Sequence, residues 1–520
     1  MKKTKVMCLI ICFCMLLLLI SCAETAESES SALSEEAEST VGDENVSCSE
    51  YQNSKGEYIA KTSGKRYDGQ TITFLTCGEK LISESEIVEN IQTYEDGADC
   101  TYPQIINDDL RIRAETLERE LGLKLEEIQL HSPVRKNGEM LQAVIRGNIS
   151  STLEYQVVVP CLYDGASLAV QGHLHNLLGI DGLQMDAPWW NKEFNESMTY
   201  ANQLYFSIGD IGLVNKANTA ALFFNFDLWK KHGLTEKYGG TPYELVEGGK
   251  WTMDLVFEAA RAMKNDITGD GIVDYKDEYG WSGQLDDMWS IFFGSGEKIA
   301  SADGDGYPSI TMYNERSNRV MERLQEFMQS EEHVSANDYF NVTASPVDLT
   351  REAFISGRAL FFNDVVGTVA LLGDMEQHFG VVPEPKYNED QDNYHSLVNP
   401  WGSTCFAIPA SVPEDQLTMV ADALNVLGAS SKNTIAKDYQ EVVLSYMKTR
   451  DDESARMINE YILPTRACDV GMVYQWGGLD VMLQDMASKP IGSFASQFET
   501  KKAVAEMAMN KTIKFYKSHE

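Results

Sequence analysis

The sequence predicts an α/β fold of two lobes that share crossover strands, and three observations point to it. β-Branched, strand-like runs alternate with helix-like segments over residues 71–159. A second alternating region opens near residue 204, with no linker marking a clean cut between the two and no internal repeat. The chain has 520 residues, too many for one ordinary domain.

In chain order, Thr71-Ile72-Thr73-Phe74-Leu75 reads as a buried strand bounded by Asp68-Gly69 and Cys77-Gly78. Asn107 can cap a helix over 107–121, with Leu110, Ala114, Leu117 and Leu121 on one face and Gly122 as its stop. Residues 124–130 form a second strand, 139–146 a short helix and 155–159 a third strand. Ligands of such sheets sit beyond the carboxyl ends of the strands, which makes the Cys77-Gly78-Glu79-Lys80 and Cys161-Leu162-Tyr163-Asp164 turns natural walls of a site. The second region predicts a strand over 220–226 and helices over 227–232, 251–264, 317–331, 348–356 and 371–378. Thr252 caps the 251–264 helix, whose inner face carries Val256, Ala259, Ala260 and Met263. Short apolar strands return at 359–362 and 405–408, and the tail from 414 is mostly helix, ending over 501–516.

The N-terminus has a separate logic. Lys2, Lys3 and Lys5 precede an apolar run over residues 6–20, short for a membrane span and suited to a secretory signal. It ends in Leu19-Ile20-Ser21-Cys22, which resembles the bacterial lipobox, where the cysteine is diacylated and becomes the mature N-terminus. The reading is a signal peptide over 1–21, then lipidated Cys22 with a disordered acidic tether to residue 60, then a body over 61–520. The alternative is a plain transmembrane anchor with an incidental cysteine. The expected location is extracytoplasmic, on the outer face of the bacterial cell membrane.

Composition narrows the function. The chain is 43% apolar and 23% charged, as in soluble globular proteins, and its mean hydropathy of −0.28 excludes a polytopic membrane protein. With 79 acids against 43 bases the formal charge is −36, which repels phosphate backbones and excludes nucleic acid as a partner. Six cysteines follow Cys22, without metal-ligand spacing; isolated buried thiols are expected, with Cys77–Cys100 as the alternative bridge. No GxSxG, HExxH, Walker or GxGxxG motif is present, and no catalytic residue is assigned.

The sharpest local motif runs from Asp266 to Asp277. Asp266, Thr268, Asp270, Asp274 and Asp277 hold loop positions 1, 3, 5, 9 and 12, Gly271 holds position 6, and Ile272 offers a backbone carbonyl at 7. This is the EF-hand pattern with Asp in place of the final Glu, and it resembles the calcium loops of dockerin modules. A structural Ca2+ is expected there; the alternative is a metal-free Asp/Gly surface turn.

Six segments in order carry a family resemblance across residues 68–516. They are Asp186-Ala187-Pro188-Trp189-Trp190-Asn191, Phe223-Phe224-Asn225, Lys250-Trp251-Thr252-Met253-Asp254, the Asp266–Gly271 turn, Phe354-Ile355-Ser356-Gly357-Arg358-Ala359-Leu360-Phe361 and Phe379-Gly380-Val381-Val382-Pro383. Behind a lipobox, they resemble the extracellular solute-binding lipoproteins of carbohydrate-type ABC importers (family 1 solute-binding proteins). The resemblance implies a two-lobed, periplasmic-binding-protein-like (type II) fold with an inter-lobe ligand cleft and crossing hinge strands near 207–209 and 222–225. It implies a monomer that closes on its ligand and delivers it to an ABC permease, with the Tyr163-Asp164 turn as a polar contact.

A sugar offers hydroxyls around an apolar ring face, so its site needs aromatic platforms and carboxylate or amide partners. The ligand-binding candidates are Tyr163, Tyr205, Trp281, Trp289 and Trp401, with Asp164, Asp210, Asn225 and Asp364 as polar partners. Trp251 reads as core, Trp189 and Trp190 as a packing or hinge pair, and Trp401, in a loop after Asn399-Pro400, is the favoured platform. The rival functions are a surface glycoside-active enzyme using two carboxylates and a glycan sensor or adhesin without a permease.

Overall fold

The computed structural model describes residues 50–78, 85–89, 104–131, 136–150, 154–302, 306–448 and 452–519. The lipobox, Cys22, the tether to residue 49, Cys100 and the Glu79-Lys80 half of the first turn lie outside them. From Cys48 onward the chain forms one compact unit.

The first lobe is built on the Thr71–Gly78 strand, flanked in parallel by Lys124–His131 and Val157–Val159. Ile72, Phe74, Val157 and Val158 are all fully buried, as expected of β-branched and aromatic runs covered by helices on both faces. The chain returns from the second lobe to extend this sheet. Val158 and Ala407 exchange backbone hydrogen bonds of 2.9 and 3.0 Å, and Phe406 and Ser207 exchange two more of 2.8 and 3.0 Å.

The second lobe holds a larger sheet in the order Phe379–Val382, Ala220–Asn225, Ala359–Val365, Glu278–Gly283, with Lys264–Asn265 and His333–Ser335 also paired to Glu278–Gly283. Ala220–Asn225 is antiparallel to both neighbours, whereas Ala359–Val365 and Glu278–Gly283 are parallel. Trp229, Trp251, Trp281 and Phe361 pack edge-on or tilted beneath it with ring centroids 5.6–6.4 Å apart.

Three chain crossings join the lobes, near residues 209–220, 397–404 and 431–435. The first two lie against each other: Asn399 N–H donates to the Asn218 carbonyl at 2.9 Å, and Thr219 bridges Val398. The C-terminal helix Phe494–Lys517 contributes Phe494, Phe498 and Ala505 to the second core and Tyr516 to the first.

Several expectations change. Residues 50–60 belong to the body and not to the tether, because Tyr51 packs edge-on against Trp189 and donates to Asp186 at 2.8 Å, while Tyr58 N–H reaches Asn433 at 2.8 Å. The 371–378 helix is replaced by the 3₁₀ segment Val366–Leu371 followed by turns. The first crossing, near residues 209–220, lies between the expected hinge stretches 207–209 and 222–225. Cys161, Cys405 and Cys468 are buried, and the last two thiols donate to the Pro160 and Val398 carbonyls.

Candidate functional site

A cleft of about 470 Å³ opens where the crossings meet the second lobe. Asn218, Asn399 and Trp401 come from the crossings, and Asp286, Trp289, Asn363 and Asp364 from the second lobe. Two indoles line it in different states. Trp289 is only 6% exposed and is fixed by its Nε1–H donating to the Asp480 carbonyl at 2.8 Å. Trp401 is 48% exposed, in a loop turned by Asn399, whose Oδ1 accepts the Trp401 N–H at 2.9 Å.

Carboxyl groups form the floor. Asp286 accepts from Gln484 at 2.6 Å and from Asn399 at 3.3 Å, and burial pushes it up to about 6. Burial likewise pushes Asp364 up to about 6 and raises Asp287. Asp287 is held by Trp281 Nε1–H at 2.8 Å, with His333 Nε2 at 3.4 Å. This contact needs Gly283, where a Cβ would stand 1.8 Å from the Asp287 Oδ2. Deeper still, Asn363 donates to the fully buried Glu384 at 2.8 Å. Carboxyls raised in this way can either accept from or donate to a ligand hydroxyl.

In the first lobe, Tyr163 lies within the field of Asp286. Its hydroxyl is buried without a partner, and burial, then the fields of Asp480 and Asp286, push it well above the usual phenol range. The Lys136 ammonium sits 4.8 Å from the Tyr163 ring centroid. Asp164 shapes the turn that carries Lys136, accepting the N–H of Asn137 at 2.8 Å.

The fold of this chain recurs among solved structures. A cyclic alpha-maltosyl-1,6-maltose binding protein from Arthrobacter globiformis superposes with a TM-score of 0.54 at 11% identity, over 85% of this chain and 99% of that one. An ABC substrate-binding protein of Listeria monocytogenes in complex with cycloalternan gives 0.53 at 12% identity, over 86% and 100%. This is the ABC substrate-binding-protein fold. A cyclo/maltodextrin-binding protein complexed with maltotetraose also shares it, with a TM-score of 0.50 at 14% identity over 87% and 98% of the two chains. No family model matches the sequence, and no curated protein matches it by sequence. Among the described residues no helix is long and apolar enough to cross a membrane.

Within the binding-protein fold, Trp289, Asp364 and Trp401 line one cleft, and Tyr163 lies outside its lining but within the fields of Asp480 and Asp286. Asp164 lies next to Tyr163 but holds backbone. Four other candidates stand apart from the cleft. Tyr205 is core, donating to Gln203 at 2.5 Å and packing on Phe515 and Tyr516. Asp210 is held by Lys216 and Lys432 away from the cleft. Asn225 caps the Phe226–Lys231 helix, accepting the Leu228 N–H at 3.0 Å. Trp281 is fully buried beneath Asp287. Sequence reasoning missed Asp286, Asp287, Asn363, Asn399, Glu384 and Asp480. The Asp286-Asp287 pair before the apolar 288–293 run was the available signal, but acids at a helix start ordinarily serve the helix.

In the 266–277 loop, Asp266 Oδ1 accepts the Gly269 N–H at 2.6 Å and Oδ2 the Gly271 N–H at 2.8 Å. Asp277 accepts from Ile267, Thr268 and Asp274 at 2.9–3.0 Å. Asp270 and Asp274 cap the N–H groups of Ile272 and Lys276. These carboxylates accept from the loop's own backbone; among the described residues no group of three or more His, Cys, Asp or Glu is placed to hold a metal ion.

Proposed function

We propose that this chain binds a carbohydrate, a mono- or oligosaccharide, in the cleft at the crossings and passes it to the permease of an ABC importer. One observation carries the reading: two indoles, one rigid and one presented, share a cleft with Asp286 and Asp364, matching a sugar's apolar faces and its hydroxyls. The solved structures of this fold named above are binding proteins, two of them for maltose-type glycans, which supports a carbohydrate ligand and a non-enzymatic role. The Leu19-Ile20-Ser21-Cys22 sequence supports an acyl anchor on Cys22, holding a monomer at the outer face of the membrane.

Thermal-shift and tryptophan-fluorescence titration of the purified body with a panel of maltodextrins, cyclic glucans and other glycans tests this. At least one glycan is expected to raise Tm by mass action. Trp401→Ala is expected to weaken that glycan by about 10- to 100-fold while leaving the ligand-free Tm within a degree or two, because the ring is half exposed. A panel without any shift contradicts the proposal. Glycan turnover that disappears in Asp286→Asn or Asp364→Asn would replace it with a glycosidase.

A calcium ion in the 266–277 loop stands as a separate proposal, carried by the side-chain pattern. Calcium is expected to raise Tm in the wild type and not in Asp270→Ala; equal curves with calcium and with chelator would remove it.

A further inference from the structure

Away from the cleft, a cavity of about 230 Å³ lies where the chain crossings gather. Asp210 and Lys216 come from the first crossing, and Lys432, in the last turn of the Glu414–Asn433 helix, from the third. Arg466 belongs to the strand whose backbone pairs in parallel with Ser396-Leu397 at the second crossing. Asp210, Lys432 and Arg466 line the cavity, and Lys216 stands behind Asp210.

Three cations face one carboxylate here. The Lys216 ammonium lies 2.7 Å from one Asp210 oxygen, and the Lys432 ammonium 3.0 Å from the other. Both oxygens are therefore engaged, and the Arg466 Nε is sealed from solvent without a hydrogen-bond partner among the described residues. Burial lowers both the Arg466 guanidinium and the Lys216 ammonium, each opposed by Asp210. At the cavity's edge Lys192 and Glu193 add one charge of each sign and leave the excess unchanged. A surplus of positive charge, part of it desolvated at Lys216 and Arg466, is costly unless an anion completes it.

We propose that this cavity is a binding site for a small tetrahedral oxyanion of the phosphate or sulfate type, held by Arg466 and Lys432. An anion there would tie segments of the first and third crossings to the strand paired with the second, so its occupancy bears on the hinge without touching the sugar cleft. A guanidinium fork and an ammonium are the groups that recognise such oxygens, and the chain's overall acidity repels anions elsewhere on the surface.

The test is thermal unfolding of the purified body at fixed ionic strength, with chloride exchanged for millimolar phosphate or sulfate. Phosphate or sulfate is expected to raise Tm by about 2 °C or more over chloride. A response to both marks a general oxyanion site, and a response to one names its anion. Arg466→Met is expected to abolish the response and to be at least as stable as the wild type in chloride, since it removes the uncompensated cation. Lys432→Met, at a partly exposed position, is expected to weaken the response and supplies the readout should Arg466→Met not fold. Equal Tm values in all three anions, or a full response in both variants, would overturn the proposal.

Discussion

Arg113→Ala is expected to destabilise the body by about 3–5 kcal/mol, a change that denaturant unfolding would show as a large fall in midpoint. The Arg113 side chain is fully buried on the Gln104–Leu121 helix. Its Nη1 donates to the Ile211 carbonyl at 2.7 Å and to Ser431 Oγ at 3.0 Å, and its Nη2 to the Glu86 and Ile87 carbonyls at 2.8 and 2.7 Å. Glu86 continues the network: one oxygen accepts the Leu213 and Val214 N–H groups at 2.8 and 3.1 Å, and the other the Thr404 hydroxyl at 2.8 Å. Arg113 and Glu86 therefore grip residues of all three crossings from the first lobe. Truncation leaves buried carbonyls and the Glu86 charge uncompensated, which is why the cost exceeds that of an ordinary lost hydrogen bond. A loss below about 1 kcal/mol would show that the crossings do not depend on this clamp.

Glu384 governs the second large effect, a fall in stability as pH rises. Burial, reinforced by the nearby Asp287 charge, pushes its carboxyl from 4.5 up to about 8, against the opposing hydrogen bonds from Asn363 and Ser290. The native state then keeps a proton that the unfolded chain releases. Its stability is full below about 4.5 and is lost progressively as pH rises to about 8, at up to roughly 1.4 kcal/mol per pH unit. Glu384→Gln keeps the acceptor for Asn363 and removes the ionisation. It is expected to match the wild type at pH 5 and to exceed it by a few kcal/mol at pH 8.5. Asp286, Asp364 and Asp469, each raised to about 6, give a similar slope to both proteins, so the difference between the two Tm–pH curves isolates Glu384. Parallel curves would mean that this carboxyl does not hold its proton.

Arg113 also shows where sequence reading stops. The helix face over 107–121 was legible from Leu110, Leu117 and Leu121, and all three are buried. Ala114 was read as the fourth member, whereas the buried stripe runs through Ile106, Leu110, Arg113, Leu117 and Leu121. A cation inside an apolar stripe is the signal, but its partners sit near residues 86, 211 and 431 and no local pattern announces them. The cleft divides in the same way. Trp401 and Trp289 were visible as aromatics suited to a sugar face, and Asp364 as a polar group ending an apolar strand. Asp286, Asn363 and Glu384 meet them only because separate strands and a helix start converge. Tyr205 and Trp281 carry the same chemistry as the cleft aromatics, and only packing separates them from it.

Local physics is thus what the sequence by itself determined: strands where β-branched residues run together, helices where apolar residues recur on one face, and an alternation that implies two α/β lobes. These depend on neighbours within a few residues, so they can be read directly. The tertiary structure decided which carboxyls lose water, which indole stays presented, and where Asp210, Lys432 and Arg466 meet. Desolvation and charge balance depend on everything packed around a group, and those neighbours come from hundreds of residues away.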